Sequence, residues 1–180
     1  MTETTIATDL ASIRAGRLSD AGDFWGARIG SNPGNAKLTY KAAGVAVGSV
    51  ATRISAGKHQ FTVDEPAGLA GDDAAASPVE YALGALISCQ VVVYRLYAQQ
   101  LGLAIDGLTI DAEGDLDVRG LFGIDATVRP GFTGIRLKVN ISGPETQERY
   151  EELARLVETR CPVLDLFANV TPVSAVVSKV

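Results

Sequence analysis

The chain of 180 residues has one histidine, two cysteines and no excess of basic residues: 16 lysines and arginines stand against 21 aspartates and glutamates, a net charge of −5. With no basic stripe to neutralise phosphates, nucleic-acid binding is set aside. The histidine, His59, sits in a strand-like run without a second histidine or cysteine nearby. A zinc site needs roughly three or four convergent protein ligands, so no metal is expected. The opening residues lack the cationic start and apolar run of a secretory signal, which predicts a cytoplasmic protein. Long hydrophobic runs are also missing. The most apolar stretch, Tyr81 to Tyr94, is shorter than the ~20 residues that span a bilayer and is followed by Arg95, Gln99 and Gln100, so no membrane segment is expected. There is no internal repeat. In a reducing compartment, two cysteines are more often free, catalytic or redox-sensing thiols than a structural staple.

What is present reads as an extension followed by one domain. Residues 1–35 carry a mixed pattern ending in the breaker cluster Gly30-Ser-Asn-Pro-Gly34, which predicts a short helix and a loop. From Ala36 the sequence turns β-like, with expected strands at Leu38–Tyr40, Val45–Ile54 and His59–Val63 forming an antiparallel meander. The Gly-, Pro- and Asp-rich residues 64–73 form a loop. Ser77 as N-cap, Pro78 at the first helical position and Glu80 completing a capping box then open a long helix running to about Leu101. Its apolar stretch has only Ser88 and Gln90 as clearly polar residues, which predicts burial nearly all round.

Alternation at Leu108–Leu116 and Ile135–Ile141 predicts half-buried strands, with a shorter one at Ile124–Val128 between them. A second capping-box pattern, Ser142-Gly-Pro-Glu145, should open an amphipathic helix bearing Tyr150, Leu153, Ala154, Leu156 and Val157 and ending near Arg160. Pro162 disfavours helix at Cys161 and suits the first turn of a short helix to Phe167. A strand at Val170–Val177 closes the chain. The class is α+β with an antiparallel sheet, a long buried central helix and a second amphipathic helix. A helix apolar all round asks for more cover than one sheet gives, and a second subunit is the simplest supply.

Cys89 lies in the middle of the long helix, beyond reach of the helix dipole, so a thiolate there needs a cation or hydrogen-bond donors from another element. A small buried hydrophobe is the plain alternative. Cys161 stands at or near an N-cap, where free N–H groups favour a thiolate, or else it is a half-buried junction residue. Glu80 falls on the opposite side of the helix from Cys89 and about 13 Å along its axis, so its default role is the capping box.

These residues carry a resemblance. Asp64-Glu-Pro66, Ser77-Pro-Val-Glu-Tyr-Ala-Leu-Gly-Ala-Leu-Ile-Ser-Cys89, Cys161-Pro-Val163 and Thr171-Pro-Val173 resemble the OsmC/Ohr family over about Lys37–Val180, with residues 1–35 outside it. The resemblance implies an intertwined homodimer with the cysteine-bearing helices at its centre. It also implies a peroxidase in which Cys89 attacks the peroxide and Cys161 resolves the sulfenic acid as a disulfide. In the organic-hydroperoxide branch an Arg–Glu pair assists the thiolate, the glutamate ten residues before the cysteine. Here that position is Val79, Glu80 stands at nine, and Arg53 is the nearest replacement for the arginine. Catalytic candidates are therefore Cys89, Cys161, Arg53 and Glu80, with Arg28 and Arg95 as alternative cations. The expected partners are an organic hydroperoxide and an external dithiol reductant, without metal or flavin. Two rival readings use the same residues: an OsmC-like dimer binding a small apolar ligand, and purely structural thiols.

Overall fold

A computed structural model describes residues 3–179, with side chains from Leu10 onward. It contains α1 (Glu3–Ser31), β1 (Ala42–Val47), β2 (Ala51–Ala56), β3 (His59–Val63), α2 (Pro78–Leu101), β4 (Gly107–Asp115), α3 (Val118–Leu121), β5 (Gly134–Ser142), α4 (Gln147–Glu158) and α5 (Pro162–Ala168). This is an α+β chain with antiparallel pairing, as the patterning predicts. Two compact units divide it: residues up to Gly84 with Asp111–Lys138, and Ala85–Ile110 with Val139–Val180.

In the first unit β1, β2 and β3 form an antiparallel meander in the order β1-β2-β3. The strand expected across Val45–Ile54 is instead two strands. Gly48 takes φ +60 in the turn between them, and Val47 pairs with Ala51 across it; a positive φ comes without steric cost only to glycine. Leu38–Tyr40 is not a strand, and Tyr40 is 88% exposed. The loop after β3 is held by buried Asp64, whose Oδ2 accepts from the backbone N–H of Asp72 and Ala74, each at 3.1 Å. Gly71 crosses the Glu65 backbone so closely that any Cβ would collide with the Glu65 carbonyl.

The extension forms a 29-residue helix rather than a short one. No proline interrupts it before Pro33, and Asn32 caps the 3-10 turn Pro33–Ala36 that follows. Its Leu10, Ile13 and Phe24 are exposed, Phe24 and Trp25 meet edge to face, and the Arg28 guanidinium lies 5.7 Å from the Trp25 ring centre.

Residues 124–128 also depart from expectation, because side chains capture the backbone there before a strand can. Asp117 caps α3 through the Arg119 N–H, Asp125 Oδ1 accepts from both the N–H and hydroxyl of Thr127, and Arg119 pairs with both aspartates.

In the second unit Leu86, Gln90, Val93, Tyr94 and Ala98 of α2 are buried, as are Tyr150, Leu153 and Val157 of α4. The second helix starts later than Ser142. That residue ends β5, and its carbonyl accepts from Asp106 N–H at 2.8 Å. Glu145 accepts from Ala104 N–H, and Thr146 is the N-cap. Residues 170–179 are in no strand ladder among the described residues, and Val170, Val173, Val176 and Val177 are each more than nine-tenths exposed. The terminal strand expected there is absent.

Within a single chain the burial of α2 is one-sided, and the second subunit expected from the sequence would have to supply the rest of the cover. Val92 is 55% exposed, Leu101 47%, Val79 39% and Tyr81 37%. By length and composition alone α2 meets the test for a membrane span, with a mean hydropathy of 1.3 over 18 residues of which 22% are buried. One face of α2 is covered; the opposite face has no cover among the described residues.

Candidate functional site: a pair of thiols at a helix junction

The start of α2 is built as the sequence predicts. Glu80 Oε2 accepts from the Ser77 N–H at 2.8 Å and from the Ser77 hydroxyl at 2.7 Å, and Glu80 N–H reaches back to Ser77 Oγ. These bonds hold the Glu80 carboxyl below its usual range, the Ser77 hydroxyl contributing most. Tyr81 donates from its hydroxyl to Thr62 O at 2.9 Å and stacks on Phe61, tying the helix start to β3.

Three turns further along, Cys89 is half-buried while Cys161 is 2% exposed, and both thiols are free. Cys161 is the N-cap of α5, and its side chain makes no capping hydrogen bond. Its backbone is fixed at both ends of the junction: its N–H donates to Val157 O and its carbonyl accepts from Asp165 N–H, each at 3.0 Å. Pro162 occupies the first position of α5, so the next free donor of that helix is the Val163 N–H.

That N–H is near enough to Cys89 to influence its thiol. Burial pushes the Cys89 thiol above its ordinary value, the Val163 N–H pulls it back down, and Cys161 raises it through a side-chain hydrogen bond and through charge. Two thiols this near discourage each other's ionisation, as any pair of like acids does. The sequence placed the helix-end N–H groups at Cys161; the structure gives one of them to Cys89 instead. Val163 is the residue near Cys89 that sequence reasoning missed. The Cys-Pro junction was its signal, since proline at the first helical position leaves the next N–H without a partner.

The other candidates are distributed elsewhere. Arg53 is exposed on β2, opposite Val45 and Thr62, and makes no salt bridge to another described residue. Arg28 lies over Trp25, and Arg95 donates to Ile105 O at 2.7 Å. Among the described residues no cation figures in the influences on the Cys89 sulfur. The structure thus brings together Cys89 and Cys161 and leaves Glu80 occupied at its cap. Among the described residues no three histidine, cysteine or carboxylate side chains converge as a metal site would require. His59 pairs with Ala56 at the end of the β2–β3 hairpin.

An α+β chain that sets a mid-helix cysteine against a cysteine at a following helix junction defines a class of paired-thiol protein. The sequence profile of the OsmC-like proteins matches residues 71–176, and the chain belongs to that family. Solved structures share the fold. The OsmC-like protein of Mycoplasma pneumoniae is 21% identical with a TM-score of 0.64, covering 74% of this chain and 90% of that one. A Legionella pneumophila protein described as an organic hydroperoxide resistance protein OsmC is 20% identical, TM-score 0.59, covering 74% and 91%. The organic hydroperoxide resistance protein OhrB of Bacillus subtilis is 21% identical, TM-score 0.51, covering 73% and 91%. Among curated proteins the sequence has no significant match.

Proposed function

We propose that the chain is a thiol-dependent peroxidase that reduces organic hydroperoxides. The observation that carries this reading is the placement of Cys89 and Cys161 close enough for each thiol to affect the other, since a sulfenic acid formed on one sulfur lies near the thiol that would resolve it. The names of the structural relatives from Legionella pneumophila and Bacillus subtilis, both organic hydroperoxide resistance proteins, support it.

In this reading the Cys89 thiolate attacks the distal peroxide oxygen. An S–O bond forms, the O–O bond breaks, and the alkoxide leaves as an alcohol after taking a proton. Cys161 then attacks the Cys89 sulfur, expels hydroxide and forms a disulfide, which an external dithiol reduces. No metal or flavin is required. The apolar neighbours Leu86, Val92 and Val93 favour an alkyl peroxide over hydrogen peroxide.

A homodimer belongs to the same proposal. A second copy would cover the exposed apolar face of α2 and offer strand partners to residues 170–179. Arg53 is the cation proposed to assist the thiolate. Glu80, bound in its capping box, would support the helix start rather than the chemistry unless the second copy brings it near a sulfur. The protein would act in the cytoplasm.

One observation favours a second reading. Burial and Cys161 hold the Cys89 thiol up, and no cation among the described residues offsets them. An OsmC-like dimer binding a small apolar ligand without turnover fits that condition. Peroxide consumption with dithiothreitol as reductant separates the two. The peroxidase reading expects turnover of an alkyl hydroperoxide, faster than of hydrogen peroxide; no turnover of either leaves the binding reading.

A further inference from the structure

The second unit contains a cavity of about 190 Å³ that the thiol chemistry does not use, lined by Tyr94, Val139, Ile141, Tyr150, Glu151 and Ala154, with Gln147 at its edge. We infer that it is a binding site for a small protonated amine carrying one compact apolar group, such as an arylalkylamine.

Three features point to that chemistry. First, Tyr94, 3% exposed, lines the cavity with an aromatic ring and a hydroxyl. Burial, and to a lesser degree the charge of Glu158, push this phenol up to about 12, so at neutral pH it is an uncharged group able to accept from or donate to a guest. Its neighbour Tyr150 is already satisfied, donating to Ala104 O at 2.8 Å.

Second, the lining is negative and contains no lysine or arginine. Gln147 Nε2 donates to Glu151 Oε1 at 2.9 Å, fixing that carboxylate at the cavity. The negative charge of Glu158, felt at Tyr94, adds to it. An ammonium group is attracted by this field and by the faces of tyrosine rings, whereas a carboxylate or phosphate is repelled.

Third, the remaining wall, Val139, Ile141 and Ala154, is apolar and suits a single ring or short alkyl group. The volume is below the ~300–1,000 Å³ of pockets for drug-sized ligands, which restricts the guest to one ring and a short chain.

Calorimetric titration of the full chain with benzylamine, benzyl alcohol and benzoate tests the inference, since the three share a ring and differ in charge. Benzylamine should bind roughly tenfold more tightly than benzyl alcohol, and benzoate most weakly. Glu151→Gln should remove most of the preference for the amine without removing the ring's contribution. Ala154→Phe should fill the cavity and abolish binding. Tyr94→Phe, which keeps the ring and removes the hydroxyl, should weaken the amine should Ala154→Phe disturb folding. Equal affinity for amine and alcohol would overturn the inference. So would binding that persists unchanged in a folded Ala154→Phe variant, which would place the amine elsewhere.

Discussion

Replacing Val163 with proline deletes one N–H from the second position of α5, where no helical carbonyl accepts it. That N–H is the influence that lowers the Cys89 thiol against burial and Cys161. A hydrogen bond to a charged acceptor contributes about 1.5–3 kcal/mol, and one pKa unit corresponds to about 1.36 kcal/mol. Cys89 is only half-buried, so solvent screens part of this and the lower end applies. The titration midpoint of Cys89 should therefore rise by about one unit, and its thiolate fraction at neutral pH should fall roughly tenfold. Val163→Ala is the control, because it shortens the side chain and keeps the N–H. The assay is the pH dependence of iodoacetamide alkylation, read by mass spectrometry at the Cys89 peptide. Identical midpoints in Val163→Pro and Val163→Ala would refute the claim that the backbone of α5 tunes this thiol.

Leu153 is fully buried, and Leu153→Ala should destabilise the chain by about 2–5 kcal/mol in urea unfolding through lost burial and the cavity left behind; a loss below ~1 kcal/mol would mean the site collapses or is not core. Asp64 is held below the usual carboxyl range, chiefly by the Ala74 N–H. A depressed value stabilises the loop above the unfolded carboxyl pKa of about 3.9, and this is lost as pH falls through the folded value. Hydrogen exchange at Asp72 and Ala74 should accordingly show an acid-dependent opening that Asp64→Asn lacks; the same acid midpoint in both proteins would argue against the latch. For the proposed dimer, Val92→Glu should shift the protein to monomer in analytical ultracentrifugation, since Val92 lies on the uncovered face of α2. A wild-type monomer at micromolar concentration would remove the dimer from the account.

The sequence was most informative where local chemistry and packing agree. Ser77, Pro78 and Glu80 specify the start of α2 through bonds among neighbours, and the structure contains them. Tyr150, Leu153 and Val157 specify the buried face of α4 in the same way. It was least informative where one local interaction outcompetes a pattern. Asp117 and Asp125 draw residues 117–127 into turns although Ile124–Val128 alternates like a strand. Ser142 and Glu145 form a capping pattern, yet β pairing holds Ser142 and Ala104 takes the glutamate. Val170–Val177 has the composition of a strand, but a strand needs a neighbour, and none within the described chain provides one. Both cysteines were visible as candidates from their motifs. Their proximity, and the influence of the Val163 N–H on Cys89, depend on how α5 meets α2 in space, which no spacing along the chain encodes.

The central claim is that Cys89 takes the oxygen and Cys161 resolves it. Its most direct test is one equivalent of an alkyl hydroperoxide added to reduced Cys161→Ser protein in the presence of dimedone, with the adduct located by peptide mass spectrometry. The account predicts a single dimedone adduct at Cys89, no intramolecular disulfide, and, when dimedone is left out and a second equivalent of hydroperoxide is added, over-oxidation of Cys89 to the sulfinic acid. Wild-type protein treated alike should instead form the Cys89–Cys161 disulfide. An unmodified Cys89 in the Cys161→Ser variant, or a sulfenic acid trapped at Cys161 in the reciprocal Cys89→Ser protein, would contradict the assignment.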